Sequence, residues 1–181
     1  MNLSSDYFNH ETERLILRRL QISDIECWQE FFVNNPSLQY LGLVHSKETK
    51  GFTPLDWSKK WIDIQFERYQ QTGFGHLAVI SKETGKMIGM AGILQKTIED
   101  KLEHEIAYSL IPQYWGIGYA SEMSAKLVEF AIEERINRRI ISIIHVDNAA
   151  SKNVAQKNGM SVLFRSTYSG MDVDIFARNI R

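Results

Sequence analysis

Little in this sequence can be crosslinked, coordinated or inserted into a membrane. One of its 181 residues is cysteine, Cys27, so no internal disulfide can form and no cysteine cluster can hold a metal. His10, His45, His76, His104 and His145 show no HxxxH or HxH spacing, and no zinc site or other metal is expected. No apolar run approaches the roughly 18 residues of a membrane span. The N-terminus lacks the charged and long apolar regions of a signal peptide, so the cytoplasm is the expected compartment, with no membrane partner. Basic residues are not in surplus. The net charge is −1, which argues against a nucleic-acid partner, and Arg138-Arg139 is the best candidate for a local patch, or else a solvated helix–strand junction. No internal repeat and no low-complexity segment is present.

The remaining composition is that of an ordinary globular chain, 24% charged and 44% hydrophobic, sufficient for a single domain over residues 1–181. Residues 1–12 are polar and expected to be loosely ordered. The run from Arg14 to Leu20 reads as a first strand whose arginines point to an edge or half-exposed position. Ser23-Asp24-Ile25-Glu26 fits a capping box ahead of a helix that carries Ile25, Trp28 and Phe32 and ends near Asn34-Asn35-Pro36. A connection with little periodicity, 36–53, leads to a helix opened by Thr53-Pro54 and stopped at Thr72-Gly73. Its wide apolar face (Leu55, Ile62, Phe66 and Tyr69, with Trp57, Trp61 and Ile64 beside it) reads as core, or in part as a substrate-pocket wall or an oligomer interface.

Two strands, His76 to Ile80 and Met87 to Gln95, form a hairpin in which Gly89 and Gly92 mark a bulge or the close approach of another backbone. A third strand runs from Leu102 to Leu110. Ser121 to Glu134 is an amphipathic helix, with Met123, Leu127, Phe130 and Ala131 on one side and an i,i+4 pair, Glu122–Lys126, on the other. The isoleucine-rich run Arg139 to Val146 suits a central strand, and together these make a right-handed parallel βαβ unit. A short helix, Ala149 to Lys157, ends at Asn158-Gly159 and has too few apolar residues to be kept for packing alone. Strands Ser161 to Tyr168 and Met171 to Ala177 follow. The fold class is α/β (α+β): a single mixed, mostly antiparallel central sheet of about six to seven strands flanked by about four helices.

The chemistry gathers at Ile111-Pro112-Gln113-Tyr114-Trp115-Gly116-Ile117-Gly118-Tyr119-Ala120. A glycine-bearing turn from a strand into a helix presents free backbone N–H groups at a positive helix end, where anions, phosphate above all, bind. An ordinary tight turn needs the same two glycines. Downstream stand Asn148-Ala149-Ala150-Ser151 and Asn158-Gly159. With the order of elements, these features resemble the GNAT superfamily of acyl-CoA-dependent N-acyltransferases. Within it the chain looks most like the RimJ/RimL-type subgroup, whose pattern runs roughly E-I-x-Y-x-L-x-P-x-Y-W-G-x-G-Y-A-x-E, matched here from Glu105 to Glu122. The wider superfamily carries R/Q-x-x-G-x-G/A. Trp115 occupies the R/Q position, as in the subgroup, and Gln113 offers a second register.

The resemblance implies the acyl-CoA N-acyltransferase fold, acetyl-CoA as cosubstrate without a metal, and an amine acceptor, either a protein N-terminus or a small molecule. It implies a strand edge at Leu110 and Ile111 for the pantetheine amides. The backbone N–H groups of Gly116, Ile117, Gly118, Tyr119, Ala120 and Ser121 would form the pyrophosphate cradle, Trp115 beside them would also bind the cosubstrate, and Asn148 would help hold the pantetheine arm. Ser151 would lie near the sulfur and protonate the departing thiolate, or water would, since Ala155 stands where many members carry a tyrosine. Glu105 aligns with the strand glutamate used as general base, with Glu103 in reserve; a plain edge glutamate is the alternative. Transfer would be direct, because Cys27 is a poor nucleophile candidate. An unperturbed glutamate, pKa about 4.3, needs burial or a water relay to deprotonate an amine at about 7.7–8.0. A possible homodimer, a CoA-binding module without catalysis, and an unrelated nucleotide-binding βαβ protein are the other readings; the last lacks GxGxxG.

Overall fold

Short, largely apolar runs, buried on both faces in the central strands and bounded by turns, lie edge to edge in one sheet. The computed structural model describes residues 5–42 and 49–181. Its strands are β1 (Asn9–Glu11), β2 (Leu15–Arg18), β3 (Gly75–Ser81), β4 (Met87–Ile98), β5 (Lys101–Leu110), β6 (Arg139–His145), β7 (Ser161–Tyr168) and β8 (Met171–Asn179). They lie in the order β1-β2-β3-β4-β5-β6-β8-β7. Only β5 and β6 pair in parallel; the other neighbours are antiparallel.

The helices are α1 (Asp24–Trp28), α2 (Pro54–Thr72), α3 (Tyr119–Glu133) and α4 (Ala149–Lys157). The apolar stripe of α3, with Met123, Leu127, Phe130 and Ala131, packs on one sheet face against Leu77, Val79, Ile93 and Ile106. On the other face α1 and α2 bring Trp28, Ile62 and Tyr69 against Ala78 and Met90. Each fully buried side chain of this kind contributes roughly 1.5–3 kcal/mol. The aromatic rings are largely used inside the chain: Trp28 stacks on Phe31 at 4.4 Å, and Trp61 stands edge-on to Phe32 at 5.7 Å. Among the described residues no helix is long and apolar enough to cross a membrane.

Four differences from the sequence reading have local causes. The sheet has eight strands rather than about six to seven. The additional one is β1, whose three polar residues carry no strand pattern and become a strand only by pairing with β2. The start of the chain, expected to be loose, is tied down from Ser5 onward. Tyr7 is fully buried, its hydroxyl donating to the Gly75 carbonyl and accepting from the Ile93 N–H; residues 1–4 lie outside the described residues, as do 43–48 of the 36–53 connection. Ser23 makes no cap bond. Asp24 takes the Gln21 N–H at 2.8 Å instead, and also pairs with Arg18, which is why β2 tolerates an arginine. Glu122 turns away from Lys126 to Arg14, and Lys126 pairs with Glu129.

Gly92 and Gly89 prove to be sites of close backbone approach. A Cβ at Gly92 would overlap the Gly75 carbonyl oxygen, and one at Gly89 would overlap that of Ser109. The β5–β6 pair holds at one register position, Glu105 opposite Ile141. Next to it the Ser142 hydroxyl donates to the Ile106 carbonyl at 2.8 Å. Beyond that point β5 and β6 no longer pair, and the gap between them is where the candidate site lies.

Candidate active site

β5 ends at Leu110, the chain makes a 3₁₀ turn at Pro112–Tyr114, and α3 begins at Tyr119. Gly116 and Gly118 sit at φ +77° and +91°, which an L-residue adopts only with strain. Nothing lies within 4 Å of where a Gly116 Cβ would be, so the turn is open on that side. The N–H groups of Gly116, Ile117 and Gly118 have no acceptor among the described residues. The first turn of α3 adds its own unpaired N–H groups, as every helix start does. The Trp115 indole N–H closes the turn by donating to the Leu110 carbonyl at 2.8 Å. Arg14 fastens it to β2: the guanidinium pairs with Glu122 at 2.6 Å, donates to the Ile117 carbonyl at 3.1 Å and lies 4.5 Å over the Tyr119 ring.

Across from this turn stands α4. Asn148 caps it by accepting from the Ser151 N–H at 3.1 Å. Between the turn and α4 runs a groove of about 540 Å³. Leu110, Trp115, Gly116, Gly118, Tyr119, Ala120, Ser121, Asn148 and Ser151 all line it. Two expected residues do not. The Ile111 N–H is bonded to the Ile88 carbonyl at 3.0 Å and its side chain packs with the α1–α2 aromatics. The Ile117 side chain is exposed and its carbonyl belongs to Arg14. Strand geometry explains Ile111: alternate residues of β5 face β4, leaving Tyr108 and Leu110 toward the open edge.

A second cavity, about 630 Å³, opens on the other side of the gap. Trp57, Trp61 and Ile64 of α2 form one wall, so that part of the wide apolar face is a cavity wall, while Trp57 and Trp61 also pack against the α1–α2 core. Glu105 lines this cavity and is 8% exposed. Burial pushes its carboxyl above the usual carboxylate range, against the opposing pull of Lys96, a hydrogen bond from the Ile143 backbone, and Arg68. Lys96 lies 3.9 Å from the carboxylate and donates to the Tyr168 hydroxyl at 2.9 Å. His76, fully enclosed, is pushed down to about 3 by desolvation and by Arg68 and Lys96, and so stays neutral. Glu103, the reserve base, is bound by Arg139 at 3.0 Å and does not line this cavity. Cys27 lies exposed on α1, on neither cavity.

The two cavities share Tyr40, Leu41, Tyr108, Ser109, Asn148 and Ser151. At this junction the Tyr108 hydroxyl donates to the Ser151 carbonyl at 2.9 Å. The Ser151 hydroxyl has no partner among the described residues. Ala155 is buried and offers no polar group. The sequence reading missed Arg14, Tyr108, Arg68 and Lys96. Only Tyr108 carried a signal, as a member of the Glu105–Glu122 run; the others reach the site from distant strands and helices.

Residues 14–161 match the family described as Acetyltransferase (GNAT) domain. The chain belongs to the GNAT acetyltransferase family. Among this GNAT chain's relatives is a Bacillus subtilis protein named "Uncharacterized N-acetyltransferase YoaA", 28% identical over 82% of this chain and 80% of that one. An acetyltransferase from Agrobacterium tumefaciens superposes with a TM-score of 0.76 at 23% identity, over 99% of this chain and 98% of the other. RimL, a ribosomal L7/L12 α-N-protein acetyltransferase solved with coenzyme A, superposes with a TM-score of 0.71 at 19% identity, covering 93% and 95%. Both structures share the fold of this GNAT chain.

Proposed function

We propose that this chain is an acetyl-CoA-dependent N-acetyltransferase that moves an acetyl group to a primary amine by direct attack on the thioester. The observation that carries the proposal is the meeting of two cavities at Tyr108, Ser109, Asn148 and Ser151, one with unpaired N–H groups and the other with a buried carboxylate. The groove fits the cosubstrate: its turn is open over Gly116, and three N–H groups await an anion. Bound acetyl-CoA would supply the activated acyl carbon at the junction.

The chain's residues do the rest. Gly116 to Ser121 hold the pyrophosphate, where the α3 dipole adds roughly 0.3–1 kcal/mol. The open edge at Tyr108 and Leu110 holds the pantetheine arm, with Asn148 beside it. Glu105 takes the proton of the attacking amine. An ordinary glutamate would lie about 3.5 units below an α-amine, roughly 5 kcal/mol; its upward shift narrows that gap. Ser151, its hydroxyl unpartnered, donates a proton to the thiolate. A second reading, a CoA-binding module without catalysis, draws on Ala155, which cannot serve as an acid. Calorimetric titration with acetyl-CoA, followed by thiol release over a panel of amines and peptides, tests both. Absence of binding ends both readings. Binding with no thiol release on any amine leaves the silent module.

A further inference from the structure

The second cavity is cationic, which is unusual for a place that must accept an amine. Lys60, Arg68 and Lys96 line it against one carboxylate, Glu105, and His76 adds no charge because it is neutral. The three cations are not equivalent. Lys96 is engaged by Tyr168 and Glu105. Arg68 has only a 3.3 Å bond to the Gln65 side chain, and no carboxylate lies within 4 Å of it among the described residues. Burial lowers its pKa, with Glu105 and Tyr168 pulling the other way, so the guanidinium stands partly desolvated without a bonded anion. Arg68 shares a face of α2 with Ile64 and Lys60, one and two helical turns back, so apolar surface separates its charge from Lys60.

Resting on the acetyltransferase reading, we infer that the acceptor is a small amine that also carries a carboxylate, which Arg68 binds while Glu105 receives the amine proton. Three observations converge on it. A planar guanidinium without an anion is suited to bidentate carboxylate binding. The cavity volume, about 630 Å³, is that of a small-molecule site rather than of a long peptide channel. Its net positive charge opposes diamines and polyamines and favours the neutral form of a bound amine, the form that attacks. Trp57, Trp61 and Tyr168 then enclose the carbon skeleton between the two polar ends.

The test is a panel of amino carboxylates, their carboxamides and diamines of matched length, assayed by thiol release with acetyl-CoA. Carboxylates should have kcat/KM at least about tenfold above the carboxamides, the scale of one charge-assisted hydrogen-bonded pair. Arg68→Gln should raise KM for the carboxylates by at least about tenfold more than KM for the carboxamides, so that the preference for carboxylates disappears. Arg68→Lys should recover part of the difference. If Arg68 is only a counter-ion for Glu105, Arg68→Gln will shift the pH profile but leave the carboxylate-to-carboxamide ratio of kcat/KM unchanged, and the inference is overturned. It is equally overturned if carboxamides, diamines or peptides are the better substrates. Should acetyl-CoA bind with no turnover of any amine, titration of the CoA-loaded protein with the same panel decides the point separately: a carboxylate preference dependent on Arg68 sustains it, and no preference ends it.

Discussion

The groove beside α4 and the cavity around Glu105 meet at Ser151 but are built in different ways. One wall of the groove comes from a single short stretch of chain, Leu110 and then Tyr114 to Ser121 apart from Ile117, with glycine at the two positions of positive φ. The cavity is assembled from side chains of α2, β4, β5 and β6 and from the turn between β7 and β8. Backbone donors at a helix start tolerate most side-chain changes and fail when φ is disturbed. A cavity of charged side chains fails when one charge is altered. Substitutions in the groove should therefore move cosubstrate affinity, and substitutions in the cavity should move turnover and acceptor KM.

The largest break in that division is expected at Glu105. Glu105→Gln keeps the volume and removes the base, so kcat should fall by about 10²–10⁴ while acetyl-CoA affinity stays within about twofold. The wild-type pH profile offers a second reading of the same group. Its carboxyl is raised by burial, and the ionised form is the active one. Activity should therefore be lost as pH falls through a value above the ordinary carboxylate pKa of about 4.3. A profile flat down to the ordinary carboxylate range would show that the acid limb belongs to no raised group.

Ser151→Ala comes next, because Ser151 lines both cavities and its hydroxyl lies free. If it protonates the thiolate, kcat should fall by at least about tenfold, with acetyl-CoA affinity nearly unchanged. Unchanged turnover would hand that proton to water. Gly118→Ala tests the groove alone. Holding alanine at φ +91° costs about 1–2 kcal/mol, so acetyl-CoA affinity should fall roughly 5- to 30-fold. At saturating acetyl-CoA its kcat should approach that of the wild type; a proportional loss of kcat would mean that the turn also shapes the reaction centre.

The same contrast explains what could be read in advance. The groove was legible because its donors, its glycines and its α4 cap lie in two short stretches, and local sequence determines local backbone. Glu105 was legible because it precedes the turn on the same strand. Ile111 was named with Leu110 as one edge, yet its N–H turns toward Ile88 on β4, which the sequence alone does not reveal. The cavity was legible only in part, through the α2 face with Trp57 and Trp61 that was read as a substrate-pocket wall; its charged lining was not. Arg68, Lys96 and Tyr168 are brought together only by the packing of α2 on the sheet and the β8 insertion between β6 and β7. Arg14 looked like an edge-strand arginine, and its tie to Glu122 spans more than a hundred residues. Asp174, which alternates with Val173 and Ile175 along the last strand, is only 4% exposed.

Asp174 is where the division between the two regions should fail, and with the smallest effect. It sits on β8 opposite Ile144 of β6 and Arg165 of β7. Its carboxylate takes Lys152 at 2.6 Å and Arg165 at 2.8 Å. Lys152 follows Ser151, so this ion pair fastens the start of α4, the wall common to both cavities, to the sheet. Arg165 and Lys152 hold the Asp174 carboxyl down at about 2. A carboxyl depressed on folding contributes stability above its unfolded pKa, about 3.9. That stability is lost as pH falls toward the folded value. Both cations reach solvent, so Asp174→Asn strands no buried charge, and the loss should be about 1 kcal/mol rather than the 3–5 of an enclosed pair. The wild-type Tm should accordingly drop between about pH 4 and 2, and the variant's should drop less steeply. Because α4 walls both sides, acetyl-CoA affinity and acceptor KM should worsen together by about twofold. A change confined to one of them would mean that α4 is held by its contacts with α3 alone, through the 2.6 Å bond from Asn158 to Ser124, and that the ion pair serves only the strands.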